Sequence, residues 1–125
     1  MTDGSEDFKA LLGVRDETAE EGQARLELDA TDRHLNQSGA VHGGVLASLV
    51  DMAMGLAVRS LGDDSDVPAT SQLTTTYLRP GQPGTLVVTA EVRKQGDNLT
   101  VCEAGVEQAG KPLVHALATF AVLHR

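Results

Sequence analysis

The stretch GGVLASLVDMAMGLAVRSL, residues 43–61, decides the fold. Val45, Leu46, Ala47, Leu49, Val50, Met52, Ala53, Met54, Leu56, Ala57 and Val58 read as a helix that is apolar around nearly its whole circumference. A helix at a protein surface needs one apolar stripe, so this one is expected inside, wrapped by the rest of the chain. Gly62, Asp63, Asp64, Ser65 and Asp66 then supply a stop signal and a solvated loop.

Beyond that loop the period changes from helical to two. Leu86, Val88, Ala90 and Val92 share one face, with Thr89, Glu91 and Arg93 on the other. Turn signals recur at Pro80 to Gly84, at Gly96-Asp97-Asn98 and at Gly110-Lys111-Pro112, which predicts an antiparallel meander. The last strand, 113–123, carries Val114, Ala116, Ala118, Phe120 and Val122 on one side and Leu113, Leu117 and Ala121 on the other. It is expected to be central and buried on both faces. Upstream, Gln23 to Ala30 alternates as a half-buried strand with Leu26, Leu28 and Ala30 inward, and Asp7 to Leu12 reads as a short helix. One enclosed helix and an antiparallel sheet make an α+β domain. At 125 residues the expectation is a single domain over 1–125, with 1–10 as a flexible N-terminus.

The formal charge of −8 and only three aromatics, Phe8, Tyr77 and Phe120, leave neither a basic stripe nor stacking platforms, so nucleic acid is not an expected partner. A polyanionic ligand would need a local cationic site, for which Arg79, Arg93 and Lys94 are the candidates. The start lacks a basic and then apolar leader, and no window reaches the length of a membrane span; a cytoplasmic protein without membrane contact is expected. Cys102 is alone and reads as a small buried strand residue. His34, His115 and His124 have no metal-ligand spacing, so no metal and no cofactor are assigned.

Asp51 is the most informative residue. It is the only acid between Asp32 and Asp63 and sits among Val50, Met52, Ala53 and Met54 on the helix expected to be buried. Burial disfavours the charged carboxylate, so Asp51 needs a partner or a chemical task. Its neighbours at helical spacing are Ala47, Ser48, Met54 and Gly55, none of them cationic. A structural carboxylate paired with an arginine from elsewhere is the plainer alternative. The second feature is Gly39-Ala40-Val41-His42-Gly43-Gly44, which places glycine backbone directly before the helix. Free N–H groups at a helix start suit a carbonyl oxygen that becomes anionic, although such glycines alone also fit an ordinary tight turn. Gly43 and Asp51 are eight residues apart on one helix, about 12 Å along its axis, too far to flank one carbonyl carbon. If both serve one site, two copies must pair by two-fold symmetry.

The run NQSGAVHGGVLASLVDMAMG, Asn36 to Gly55, followed by TTTYLRP, Thr74 to Pro80, resembles the phenylacetate-degradation type of hotdog-fold acyl-CoA thioesterase, related to the 4-hydroxybenzoyl-CoA thioesterases. The resemblance implies a hotdog fold, in which a curved antiparallel sheet wraps a long central helix, and a dimer or tetramer with active sites between subunits. It implies an acyl-CoA substrate with an aryl or medium-chain acyl group. It also implies roles. Asp51 would be general base or nucleophile, Gly43 would donate its backbone N–H to the thioester carbonyl, and His42 and Asn36 would position the loop or the thioester. Thr70 would hold the attacking water, with Gly44, Ser71 and Arg79 as substrate-binding neighbours. In that family the acid and the hydroxyl come from one subunit and the Asn, His and Gly from the other, the arrangement the helix geometry also requires.

Two other classes share the pocket type. A hotdog hydratase or dehydratase needs acid and base groups at the α and β carbons, which the placement of Asp51 on the helix does not favour. A non-catalytic acyl-CoA binder would gain nothing from keeping a costly helix-buried acid. The acyl group depends on which of Met52, Met54, Leu56, Leu73 and Tyr77 line the pocket.

Overall fold

The computed structural model describes residues 7–123. Helix α1 (Phe8–Leu12) leads into β1 (Val14–Glu20) and β2 (Gln23–Ala30); helix α2 (Gly43–Arg59) follows, and then β3 (Val67–Tyr77), β4 (Gly84–Gln95), β5 (Leu99–Gln108) and β6 (Lys111–Leu123). The strands form one sheet in the order β1-β2-β4-β5-β6-β3, every neighbouring pair antiparallel. Helix α2 lies across its inner face, packed against β4, β2, β3 and β5. This is the hotdog arrangement, and the fold class is α+β.

Local chemistry explains the elements. Asp7 caps α1 by accepting from Lys9 N at 3.0 Å, so residues 8–10 of the expected flexible N-terminus are helical, while 1–6 lie outside the described residues. Ala109 and Gly110, with φ of 52° and 77°, make the two-residue turn between β5 and β6; Lys111 and Pro112 of the turn signal already belong to β6. His34 is buried and fully bonded, donating from Nε2 to Leu12 O at 2.7 Å while its Nδ1 accepts from Thr31 N at 3.0 Å. It ties α1 to the turn before α2. His124 lies outside the described residues.

Two expectations are corrected. First, α2 is not enclosed within one chain. Leu46, Leu49, Val50, Ala53, Met54, Ala57 and Val58 are buried at alternating spacings of three and one, whereas Ala47, Ser48, Asp51, Met52, Gly55 and Leu56 are only partly covered. A single curved sheet has one inner face and covers one side of a cylinder. The helix ends at Arg59, before the expected Leu61, because Ser60 turns its hydroxyl back onto Ala57 O at 2.7 Å. Second, β6 is not central and not buried on both faces. It lies between β5 and the edge strand β3, with Val114, Ala116, Ala118 and Phe120 against the core and Leu117 46% exposed on the other face. Among the described residues α2 is the one long helix and it packs on the inner face, so Leu117 has no second layer over it, while Leu113 at the start of the strand is buried.

The two edges differ in character. Strand β1, VRDETAE, is charged along its length and broken by a bulge in which Asp16 takes φ 54°. Arg15 there bonds Asp29 at 2.8 and 2.9 Å and Glu27 at 2.8 Å. At the other edge, β3 runs eleven residues, VPATSQLTTTY, without a single charge. Charges and bulges guard an edge against pairing, so β1 is guarded and β3 is not.

Candidate active site

A bulge in β3 builds the site. Pro68 pairs with Val122 and Thr70 with Phe120; the register then slips, so that Gln72 pairs with Thr119, Leu73 with Ala118 and Tyr77 with Val114. Since alternate residues of a strand face opposite ways, the extra residue lets Thr70 before it and Leu73 and Tyr77 after it all face α2. Ser71 is the residue left over. Its hydroxyl meets Thr119 Oγ1 at 2.7 Å on the outer face, so the structure does not bring Ser71 to Asp51.

Thr70 Oγ1 donates to Asp51 Oδ1 at 2.7 Å. No hydrogen bond reaches Oδ2 of Asp51 from the described residues, and none of their cationic groups pairs with it, so the structural ion-pair alternative finds no partner. Ser48, the one local hydrogen-bonding neighbour, instead donates to Gly44 O at 2.7 Å. Asp51 therefore presents one oxygen held by a hydroxyl and one available. Such a carboxylate can take a proton from water or attack an electrophile.

The start of α2 is equally specific. Asn36 Oδ1 accepts from Ser38 N at 2.9 Å and Ala40 N at 3.2 Å, which closes the loop leading to the helix. His42 is the N-cap, and its Nδ1 accepts from Gly44 N at 3.0 Å. Its carbonyl takes the N–H groups of Val45 and Leu46 at 2.9 and 3.2 Å. Of the first four N–H groups of the helix, only that of Gly43 has no partner among the described residues. A single free donor at a helix start can stabilise one developing oxyanion. Gly44, by contrast, has its N–H occupied by His42. Tyr77, at the end of β3, donates its hydroxyl to Gly43 O at 3.0 Å, a contact the sequence did not announce.

The structure thus assembles two half-sites, Asp51 with Thr70 and Gly43 with His42, Asn36 and Tyr77, and does not join them within one chain. They stand on one rigid helix eight residues apart, about 12 Å along its axis. Arg79 is exposed and donates to Pro112 O at 3.3 Å without an ion pair among the described residues, whereas Arg93 is taken up by Glu91 at 2.7 Å. Met54 is withdrawn from the pocket candidates because it is wholly buried in the core. A hollow of about 760 Å³ lies on the outer face, lined by Thr89, Glu91, Glu103, Gly105 and His115. None of Asn36, His42, Gly43, Asp51, Thr70, Ser71 or Tyr77 lines it, and within it His115 bonds Glu103 at 2.8 Å and holds that carboxyl below its usual range. The hydrogen-bond geometry around Asp51, not the size of this hollow, locates the candidate site.

Residues 38–115 match the model of the thioesterase superfamily. A candidate esterase of Halobacterium salinarum is 38% identical over 102 residues, 78% of this chain and 67% of that protein. The acyl-coenzyme A thioesterase PaaI of Escherichia coli is 40% identical over 86 residues, 68% of this chain and 59% of its own length. The solved structure of a conserved Pseudomonas aeruginosa protein superposes with a TM-score of 0.88 at 33% identity, covering 93% of both chains. The chain belongs to the thioesterase superfamily, and its class of activity is thioester hydrolysis.

Proposed function

We propose that the protein hydrolyses an acyl-CoA thioester to the free acid and coenzyme A, at a site shared between two copies. The observation that carries the reading is the Asp51 carboxylate, with Oδ1 held by Thr70 and Oδ2 left available on a partly uncovered side of the helix. In the proposed cycle Asp51 Oδ2 takes a proton from a water positioned by Thr70, and the water oxygen bonds the thioester carbon. The carbonyl electrons move onto oxygen, where the Gly43 N–H of the other copy stabilises them. Collapse breaks the C–S bond, and the coenzyme A thiolate leaves with the proton held by Asp51. If Asp51 attacks directly, an acyl-aspartate anhydride forms and water cleaves it; a single turnover in ¹⁸O water, read as label in Asp51, separates the routes.

Two features support pairing: the uncharged edge of β3, and the half-covered side of α2 with Ala47, Met52, Gly55 and Leu56. A second copy brought against β3 would extend the sheet, cover that side and bring the two half-sites face to face. Leu99, Val101 and Leu117, exposed on the outer face, offer a surface on which two such dimers can join. Met52, Leu56 and Leu73, all partly covered, suit an aryl or medium-chain acyl group, and Arg79 suits the coenzyme A phosphates. No helix among the described residues is long and apolar enough to cross a membrane. A cytoplasmic setting fits a substrate whose product is a free thiol.

The test is thiol release from aryl, short, medium and long acyl-CoAs. Release of thiol and acid together supports the reading. Turnover of enoyl or hydroxyacyl thioesters without thiol release indicates a hydratase, and binding without turnover indicates a non-catalytic binder.

A further inference from the structure

Tyr77 has no part in the cycle above, yet it is bonded into the helix start that the cycle uses. Its hydroxyl donates to Gly43 O at 3.0 Å, and its ring atoms lie 3.4 to 3.5 Å from where a Cβ on Gly43 would stand. The carbonyl of Gly43 and the N–H of Gly44 are two ends of one peptide unit, and that N–H donates to His42 Nδ1 at 3.0 Å. The three groups form a chain: the tyrosine hydroxyl bonds the carbonyl, and the amide of the same peptide bonds the imidazole. A bond accepted at the carbonyl polarises the amide and strengthens its N–H as a donor. With Nδ1 acting as acceptor, neutral His42 carries its proton on Nε2, which is free of partners among the described residues on an exposed side chain.

We propose that Tyr77 is a positioning residue: through the Gly43–Gly44 peptide it fixes the tautomer and ring orientation of His42, so that His42 meets the ligand with an Nε2–H donor. The β3 bulge is what makes this possible. Without the extra residue at 71, the parity of the strand would turn Tyr77 to the outer face. A phenylalanine at 77 would supply the ring contact with Gly43 but not the hydrogen bond. Because Gly43 is the free donor of the proposed oxyanion site, the same contact also anchors the peptide carrying its carbonyl. The inference rests on the thioester-hydrolysis reading for its kinetic consequence, but not for the tautomer itself.

The experiment compares wild type, Tyr77→Phe and Tyr77→Leu in the full-length protein, by acyl-CoA hydrolysis and by ¹⁵N NMR of labelled histidine, with His42 assigned by its loss in His42→Gln. Expected for wild type is an unprotonated Nδ1 and protonated Nε2 for His42, with a through-bond coupling between Gly44 N and His42 Nδ1. Tyr77→Phe should weaken that coupling, mix the tautomers, and lower kcat by about threefold to tenfold, the worth of one ordinary hydrogen bond, with KM unchanged. Tyr77→Leu, which also loses the ring contact, should raise KM as well. The proposal is overturned if Tyr77→Phe leaves the His42 signature unchanged, whether or not activity falls, or if wild-type His42 carries its proton on Nδ1. Should the wild type release no thiol, the functional reading fails while the NMR comparison still decides the role of Tyr77.

Discussion

The Thr70 hydroxyl and the Asp51 carboxylate are hydrogen-bonded at 2.7 Å, although 19 residues and a full change of secondary structure separate them. The bond runs from an edge strand to the uncovered side of the central helix, and it orients the acid without neutralising it.

Replacing Thr70 separates shape from donation. Thr70→Val keeps the volume and removes the donor, and should lower kcat about tenfold or more, with little change in thermal stability because the pair is exposed in a single chain. Thr70→Ser keeps the donor and sheds a methyl group beside the water, and should match or exceed the wild-type rate. Steady-state kinetics of the two variants check both statements.

Gly43→Pro removes the free N–H and puts a ring in its place, with the added Cβ 3.4 to 3.5 Å from Tyr77, an ordinary contact distance. The first helical position tolerates proline, and His42 before it already has the extended backbone proline demands, with φ −59° and ψ 134°. Loss of one oxyanion donor should lower kcat by roughly 10² to 10³. Mixing this variant with Asp51→Asn after unfolding and refolding together should restore about a quarter of wild-type activity, since half the dimers are mixed and each has one complete site. No recovery from a mixture that has refolded and reassembled would contradict a site shared between two copies.

Cys102 is fully buried, and desolvation pushes its thiol up to about 11. A disulfide reagent at pH 8 should leave the native protein unlabelled and its activity intact, and label one thiol per chain once the fold is opened by denaturant. Mass spectrometry of the labelled protein gives the count.

Acid stability follows from the guarded edge. Asp29 is held below its ordinary value of 3.8, first by the hydrogen bond from Arg15 and then by that from Thr85. A carboxyl whose value is lowered by folding adds stability that is fully present above its ordinary value and is lost as the pH falls through the lowered one. Thermal midpoints should therefore be level at mildly acidic pH and drop below about pH 4, and Asp29→Asn should fall less steeply there. A steeper fall in the variant would contradict the assignment.

Much of the fold is legible in the sequence because the decisive patterns are local. The greasy run at 43–61 announces the helix, and the alternations at 23–30 and 86–92 announce strands that the sheet contains. What fails is what depends on coverage. The apolar residues of 113–123 look buried on both faces, but whether a second layer exists is not a property of that strand, and Leu117 stays exposed. Strand β1 escapes notice because VRDETAE has no apolar alternation and is held by the ladder to β2 and by Arg15. At the site, Asp51 and the glycines are legible by residue type and spacing. The bulge at 71 is not: one inserted residue decides that Thr70 and Tyr77 share a face while Ser71 leaves it, and SQLTTTY carries no signal for it.

The most direct test of the central claim is thiol release by wild type and by Asp51→Asn, which keeps the shape of the side chain and removes its basicity. With both proteins folded and equally assembled, the account predicts turnover of an acyl-CoA by the wild type and a loss of at least about a hundredfold in kcat for the variant. Near-wild-type turnover by folded Asp51→Asn would contradict it.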